Sequence, residues 1–476
     1  MASTVIRSVG IDVGTTTTQV IFSRLELVNR ASVSQVPQYE FTKREIVYQS
    51  PVIFTPIDFE GRIREEELLA FILDQYREAG VTPEEIQSGA IIITGETSKA
   101  RNARPAVLKL AETLGNFVVA TAGPNLESII AGFGSGASEL SRVTIGRVMN
   151  IDIGGGTANY VLFEAGDTVS SACLNIGGRL LETDQQGRVL RAHAPGRVVC
   201  EALFGSSCDP LTLTRQQLER VTDLMADLLY QVTIGQPSEL ANQLLMTDAM
   251  PPSGLLNALT ISGGVGTCVY QTVNDDELFK FGDIGPLLAR AILKHDGFKQ
   301  LPLQKPKQTI RATVIGAGAH TLSLSGSTIW LKEVDLPIRN IPVIHTRVKG
   351  LTLNPEELLT AWQQTLTQYD LSAEKDLYAL TLPVDLPVTY QAIQTCVETL
   401  VTFSQRYPSS QPLIVIAQQD LGKVLGMLLQ PRITTGRTLA VIDEVVTKEG
   451  DYIDIGNPLF GGEIVPITVK SLAFPS

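Results

Sequence analysis

Two short segments carry the residue types that would handle a phosphate. Asp12-Val13-Gly14-Thr15-Thr16 and Asp152-Ile153-Gly154-Gly155-Gly156-Thr157 each end a Val- and Ile-rich run on a carboxylate and follow it with a turn of glycine and threonine. Glycine lets the backbone approach a ligand closely, successive amides make a concave anion site, and threonine hydroxyls add donors. A carboxylate repels phosphate, so the aspartate's natural task is to hold Mg2+ through the ion's hydration shell. One such turn would be weak evidence, because Gly/Thr turns between strands are common. Here the second copy begins 140 residues after the first, and a third glycine-rich strand end follows at Gly263, Gly264 and Gly266. Three unrelated hairpin turns are the poorer explanation.

Such turns need rigid elements to hold them. Both copies read as strand, tight turn, strand, in the short apolar runs of a sheet buried on both faces. Two related halves of about 140 residues point to a duplicated α/β fold. The first half continues through a strand at 90–94, then Gly95 and Glu96, a helical stretch near 97–114 and a strand at 116–122. Gly123-Pro124 then opens a helix over 125–133, with proline where a missing amide costs least. Gly132, Gly134 and Gly136 are expected to end that helix and open a flexible link into the second half. The second half adds a Gly177-Gly178 turn, an amphipathic stretch at 221–232 and a strand-to-helix step at 313–320. The remainder alternates again, with strands at 412–417 and 438–442, a helix at 421–429 and β segments over 452–472. The expected division is 1–145, 146–330 and a C-terminal α/β extension at 331–476.

Composition narrows the partners. The chain has 476 residues and a net charge of −12, which suits a nucleotide met through Mg2+ and backbone amides better than DNA or RNA. Apolar runs such as 412–417 fall far short of a membrane span. Five scattered cysteines without a CxxC pair, and a start lacking a basic-then-apolar leader, point to cytoplasmic, reduced surroundings and away from zinc or iron–sulfur sites. The four dispersed histidines read as core or surface residues, and Glu65-Glu66-Glu67 as a solvated helix start. There is no GxxxxGK[ST] loop and no GxGxxG opening a helix, which removes P-loop and nicotinamide readings.

The order IDVGTTTT, TAGPNLESIIAG, NIDIGGGTANY, NIGGRLLETD, LTISGGVG resembles the actin, sugar-kinase and heat-shock-chaperone ATPase superfamily. The resemblance implies duplicated actin-like, ribonuclease H-like ATPase domains that clamp ATP and Mg2+. Asp12, Gly14, Thr15 and Thr16 would form the first phosphate loop, and Asp152, Gly154, Gly155, Gly156 and Thr157 the second. Asp12 and Asp152 would hold the metal. Gly263, Gly264 and Gly266 would line the adenosine, with Asp283 a looser match to an acidic nucleoside contact, and the 124–132 segment would be the hinge helix. Chaperones place a water-positioning glutamate before the proline of that segment. Gly123 stands there in this chain, which leaves Glu96 and Glu127 as candidate catalytic residues beside their ordinary roles at a turn and a helix start.

Over its full length the chain resembles the ethanolamine ammonia-lyase reactivating ATPases, most visibly in GAIIITGETSKARNARPAVLKLAETLGNFVVATAGPNLESIIAGFGSGASELSR. That resemblance implies a slow, chaperone-like ATPase whose partner is ethanolamine ammonia-lyase, acting in ethanolamine utilization. Damaged cobalamin would leave the lyase and intact adenosylcobalamin enter. Adenosylcobalamin would be the client's cofactor and not a tight ligand of this chain, since no Asp-x-His-x-x-Gly occurs. Association with a bacterial microcompartment and a homo-oligomer are both compatible with this reading. A sugar-type kinase with the same clamp and a filament-forming actin relative are the alternatives.

Overall fold

The computed structural model describes residues 3–14, 17–29, 39–58, 62–86, 88–93, 110, 114, 117–121, 123–271, 273–306, 319–324, 329–332, 334–433, 437–456 and 466–471. Thr15, Thr16 and Glu96 lie outside them, as do most of 97–114, Gly461 and Gly462 within the 452–472 segment, and all but the end of the step read at 313–320, whose last two residues, Ala319 and His320, stand in a strand and not a helix.

In the first unit, strands β1 (Ser3–Val13), β2 (Thr17–Asn29) and β3 (Tyr39–Gln49) run antiparallel to their neighbours. Strands β4 (Ser88–Ile93) and β5 (Phe117–Thr121) extend the sheet in parallel from β1, giving the path β3-β2-β1-β4-β5. The second unit repeats this wiring. Strands β6 (Arg147–Ile153), β7 (Ala158–Glu164) and β8 (Asp167–Leu174) form the antiparallel part. Strands β9 (Ala258–Ser262) and β10 (Leu303–Gln304) add in parallel, giving β8-β7-β6-β9-β10. The repeat seen in the sequence is therefore a repeat of topology. The apolar runs are explained by burial on both faces. Met149, Ile151 and Ile153 of β6 enter the main core while Val148 packs on the other side with Ile129 and Phe163.

Helix α1 (Glu65–Glu78) carries Glu65, Glu66 and Glu67 in its first turn and buries Leu68, Ile72 and Tyr76. Helix α2 (Pro124–Ser135) runs from the first sheet to the second, and here the expectation of a flexible Gly/Ser link is corrected. Gly132 and Gly134 lie inside α2, and only Gly136, at φ 87°, ends it in a left-handed turn. Helix α3 (Ala137–Thr144) follows at once. Gly132 serves close packing, for a Cβ there would sit 2.7 Å from Phe163 Cε2. The amphipathic stretch becomes α4 (Arg215–Thr233). Helices α5 (Gly263–Val269) and α6 (Gly285–Lys294) complete the second unit's contribution to the site.

The third unit is an eight-stranded sheet. Its strands are β11 (Ala319–Leu324), β12 (Trp330–Lys332), β13 (Ile338–Ile344), β14 (Ala379–Thr381), β15 (Leu413–Ile416), β16 (Leu439–Ile442), β17 (Asp451–Ile455) and β18 (Pro466–Ser471). They are ordered β11-β18-β17-β13-β14-β15-β16-β12, so β11 pairs into this sheet although it precedes residue 331. Helices α7 (Pro355–Gln368), α8 (Tyr390–Arg406) and α9 (Gly422–Leu429) bury Trp362, Leu400 and Leu425 against the parallel strands. Among the described residues no helix is long and apolar enough to cross a membrane.

His345 makes this unit acid-sensitive. Its Nε2 lies 2.9 Å from Thr447 Oγ1, and burial, helped by Arg347, lowers its pKa from 6.5 to about 4. The unfolded chain takes up this proton below pH 6.5, while the folded chain resists it. Stability is complete above pH 6.5 and falls by on the order of 3 kcal/mol as the pH drops toward 4. Urea melts at pH 7 and pH 4.5 should show that slope, and His345→Gln should flatten it.

Candidate functional site

The two glycine turns are built alike. Val13 pairs with Thr18 and Ile153 with Ala158, so each hairpin closes on four residues. Gly14 N–H donates to Thr17 O at 2.9 Å, and Gly154 N–H to Thr157 O at the same distance. Each turn is also held from outside through its first carbonyl. The Thr55 hydroxyl, itself 3.0 Å from the Thr18 hydroxyl, donates to Gly14 O at 2.7 Å. Gly178 N–H donates to Gly154 O at 2.9 Å, and Arg179 N–H to Gly155 O at 2.6 Å. The Gly177-Gly178 turn is thereby wedged under the second hairpin. A Cβ on Gly177 would lie 2.5 Å from Gly155 O, and one on Gly178 2.7 Å from Gly285 Cα.

The aspartates occupy matching registers. Asp12 stands opposite Gln19 and Asp152 opposite Asn159, and directly opposed residues project from the same face of a sheet. Asp152 is almost wholly buried, and that burial raises its pKa to about 6 against the pull of the Ser262 hydroxyl, which donates to Oδ2 at 2.9 Å. Behind Ser262 runs a polar ladder. Asn150 Nδ2 donates to Ser262 Oγ at 3.0 Å, and the Thr260 hydroxyl donates to Asn150 Oδ1 at 2.8 Å. This chain of donors fixes the Asp152 carboxylate without neutralising it.

The third glycine cluster divides by role. Gly263 opens α5 at φ 84°, where a Cβ would come 2.6 Å from Asp152 Oδ1, so glycine keeps that oxygen uncovered. Gly266 packs its Cα against Ile261, whereas Gly156 and Gly264 both face open space. Asp283 lies beyond the wedge, bridged to Glu182. Its Oδ1 accepts from Gly285 N–H at 2.9 Å, and burial raises its pKa against that hydrogen bond.

Of the two glutamates considered for water positioning, Glu96 lies outside the described residues. Glu127 sits in the first turn of α2 and meets the second hairpin. Asn159 Nδ2 is 3.4 Å from Glu127 Oε1 and 3.5 Å from Thr157 Oγ1. The Ser128 hydroxyl in the same turn lies 2.7 Å from Pro124 O and 3.0 Å from Ala172 O, so its one proton is shared between the helix and β8. Sequence reasoning did not single out Gln19, Asn159 or Ser262. The first two carried a usable signal, since the 140-residue repeat aligns an amide side chain with an amide side chain.

A sheet of order 3-2-1-4-5 present twice, each copy bearing a glycine hairpin beside a buried aspartate strand, defines a protein of the duplicated actin-like, ribonuclease H-like class. Residues 4–475 match the family described as Ethanolamine utilisation protein EutA, and the chain belongs to that family. It is 57% identical over 469 residues to the ethanolamine ammonia-lyase reactivase EutA of Salmonella typhimurium and, equally, to that of Escherichia coli K12, covering 98% of each partner in both comparisons. Among solved structures it is similar to the Ppx/GppA family member of Aquifex aeolicus at 15% identity and a TM-score of 0.41, over 66% of this chain and 97% of that one.

Proposed function

We propose that this protein is an ATP-dependent reactivating factor for ethanolamine ammonia-lyase, working in the cytoplasm alongside that enzyme. The observation that carries this reading is the relation at 57% identity, over nearly the whole of both chains, to proteins described as reactivases of that lyase. The geometry supports the ATP half of it. Two hairpins of one register each follow an aspartate, and Gly156 and Gly264 leave space beside the second.

A magnesium ion fits the residues present. Gln19 Oε1, on the same face as Asp12, is buried and accepts no hydrogen bond among the described residues. Asp152 is a carboxylate whose pKa burial raises to about 6, and glycine at 263 keeps Oδ1 uncovered. Asp12 and Asp152 would hold the ion through its water shell, and Gln19 would accept from that shell. When bound, the ion neutralises charge on the phosphates. The chain's own residues orient the nucleotide, with the hairpin amides on the phosphates, Gly264 and Asp283 toward the nucleoside, and Glu127 toward the attacking water.

For the client, the physical task is a population shift. The nucleotide-bound form must bind the open, cofactor-releasing lyase more tightly than the closed one. Moving a mostly closed population to a mostly open one needs a differential of roughly 5 kcal/mol, within reach of a protein interface. Lyase blocked by a cobalamin lacking its adenosyl group should regain activity when this protein, Mg2+, ATP and fresh adenosylcobalamin are added together. Filtration should show the damaged cobalamin released only with ATP. Equal release without nucleotide, or none with it, refutes the reading, and ATP consumption that depends on an added sugar would restore the kinase.

A further inference from the structure

The second and third units meet at the start of α2, the helix that follows the first unit's sheet along the chain. Gly123 is the N-cap of that helix and brings no side chain to its open amides. Asp370 of the third unit takes them instead. Its Oδ2 accepts from Leu126 N–H at 2.9 Å, and its Oδ1 from Asn125 N–H at 3.5 Å and from Asn125 Nδ2 at 3.3 Å. A Cβ at position 123 would lie 2.6 Å from Asp370 Cβ and 2.7 Å from Oδ2. Glycine at 123 is therefore the residue that admits the foreign carboxylate, which accounts for the departure from the chaperone-like pattern at this position.

Asp370 sits where its own helix disfavours it. It follows α7 at φ 55°, with its N–H donating to Thr367 O at 3.0 Å and Leu371 N–H donating to Leu366 O at 2.9 Å. This is a Schellman ending, and glycine is the residue that its left-handed position favours. A carboxylate there also faces the negative end of the α7 dipole. Both preferences are overridden, and the compensation lies at α2, where the same charge meets the positive end of a helix and caps its amides. The residue as a whole is exposed, yet packing around the carboxyl raises its pKa while the Leu126 and Asn125 amides pull it back.

The junction extends into the second unit. Asn125 Oδ1 accepts from Ser171 Oγ at 3.0 Å, and Arg347 of the third unit donates to Thr168 O at 3.0 Å, so α2 and the third unit both grip β8.

We propose that Asp370 is a latch coupling the third unit to the hinge helix. While engaged, it fixes the start of α2 and with it Glu127 relative to Thr157 and Asn159. A partner that displaces the third unit withdraws the carboxylate, loosens α2 and slows hydrolysis. Asp370 is thus a positioning residue. The hydrolysis part rests on the nucleotide reading above, whereas the latch itself does not.

Asp370→Gly in the full chain tests this. It removes the carboxylate and relieves the left-handed strain, so the melting temperature should hold or rise, where a residue serving only its own unit's stability would lower it. Amide exchange over residues 124–130 should rise roughly fivefold, the size of a lost N-cap. The kcat for Mg-ATP should fall roughly tenfold with KM little changed. In a second variant, Gly123→Asp added to Asp370→Gly supplies an N-cap carboxylate within α2's own chain segment. Protection over 124–130 and kcat should then recover, while the exchange response of α7 to Mg-ATP that the latch predicts for the parent should be missing from both variants. Unchanged protection over 124–130 in Asp370→Gly, or an α7 response that survives in the double variant, overturns the latch. The 124–130 measurement needs no nucleotide. If the parent fails to hydrolyse ATP, the clamp reading falls and that measurement still decides the latch.

Discussion

Asp152→Ala is expected to lower ATP turnover by about 10²- to 10³-fold while weakening nucleotide binding far less, and Asp12→Ala should do the same. Neither substitution touches the hairpin turns themselves, so on the clamp reading the phosphates would keep most of their ground-state contacts. What goes is the fixed negative charge that places the cation against the developing charge of the transition state. Unfolding must be separated from this loss, and the Asp152 environment provides the means. A buried carboxylate with a pKa raised to about 6 costs the folded state stability as the pH rises from the ordinary carboxylate range toward 6, and the full cost is present above that value. Asp152→Asn keeps the shape and can still accept from Ser262, yet carries no charge. At pH 8 without nucleotide it should melt no earlier than the parent. Single-turnover phosphate release alongside thermal melts checks both halves. A variant that is stable and hydrolyses ATP at the parental rate would remove the clamp assignment.

Much of the site was legible because it is local and repeated. The two hairpins could be read from Asp–x–Gly turns at matching positions, and the structure gives them one register, Val13 to Thr18 and Ile153 to Ala158. Strands at β15 and β16 and helix α9 were legible from short apolar runs bounded by turn residues. The glycines of α2 misled for a physical reason. Three glycines in five residues signal a helix end, but Gly132 is there because β7 leaves no room for a side chain. Packing between elements also decided Gly177, Gly178 and Gly263, whose reasons lie in Gly155, Gly285 and Asp152 respectively. Gly123 is the extreme case. Its neighbour Asp370 is far along the chain, in a turn whose sequence gives no hint of a second helix waiting for its carboxylate.

Glu127→Gln is the sharper test of mechanism. The side chain projects from the first turn of α2 toward Asn159, which stands opposite Asp152 on the second hairpin. It therefore sits at the seam between the hinge and the phosphate turn, where a water attacking the terminal phosphate would need an acceptor. Glutamine preserves the size and the contact with Asn159 but cannot take a proton. If Glu127 orients and deprotonates that water, kcat should fall by about 10²- to 10⁴-fold with KM nearly unchanged. Melting should not shift, because the partly exposed side chain contributes little to the core. Glu96→Gln is the companion measurement, and a loss there with none at Glu127 would transfer the role. A rate untouched in both would mean that hydrolysis draws on charge stabilisation by the hairpins and cation alone. Glu127 would then keep only the helix-start role that a negative charge in a first turn fills in any helix. The latch at Asp370 makes the same assignment testable from a distance. If Glu127 acts through its position, freeing the start of α2 must slow the parent, and must slow Glu127→Gln by less.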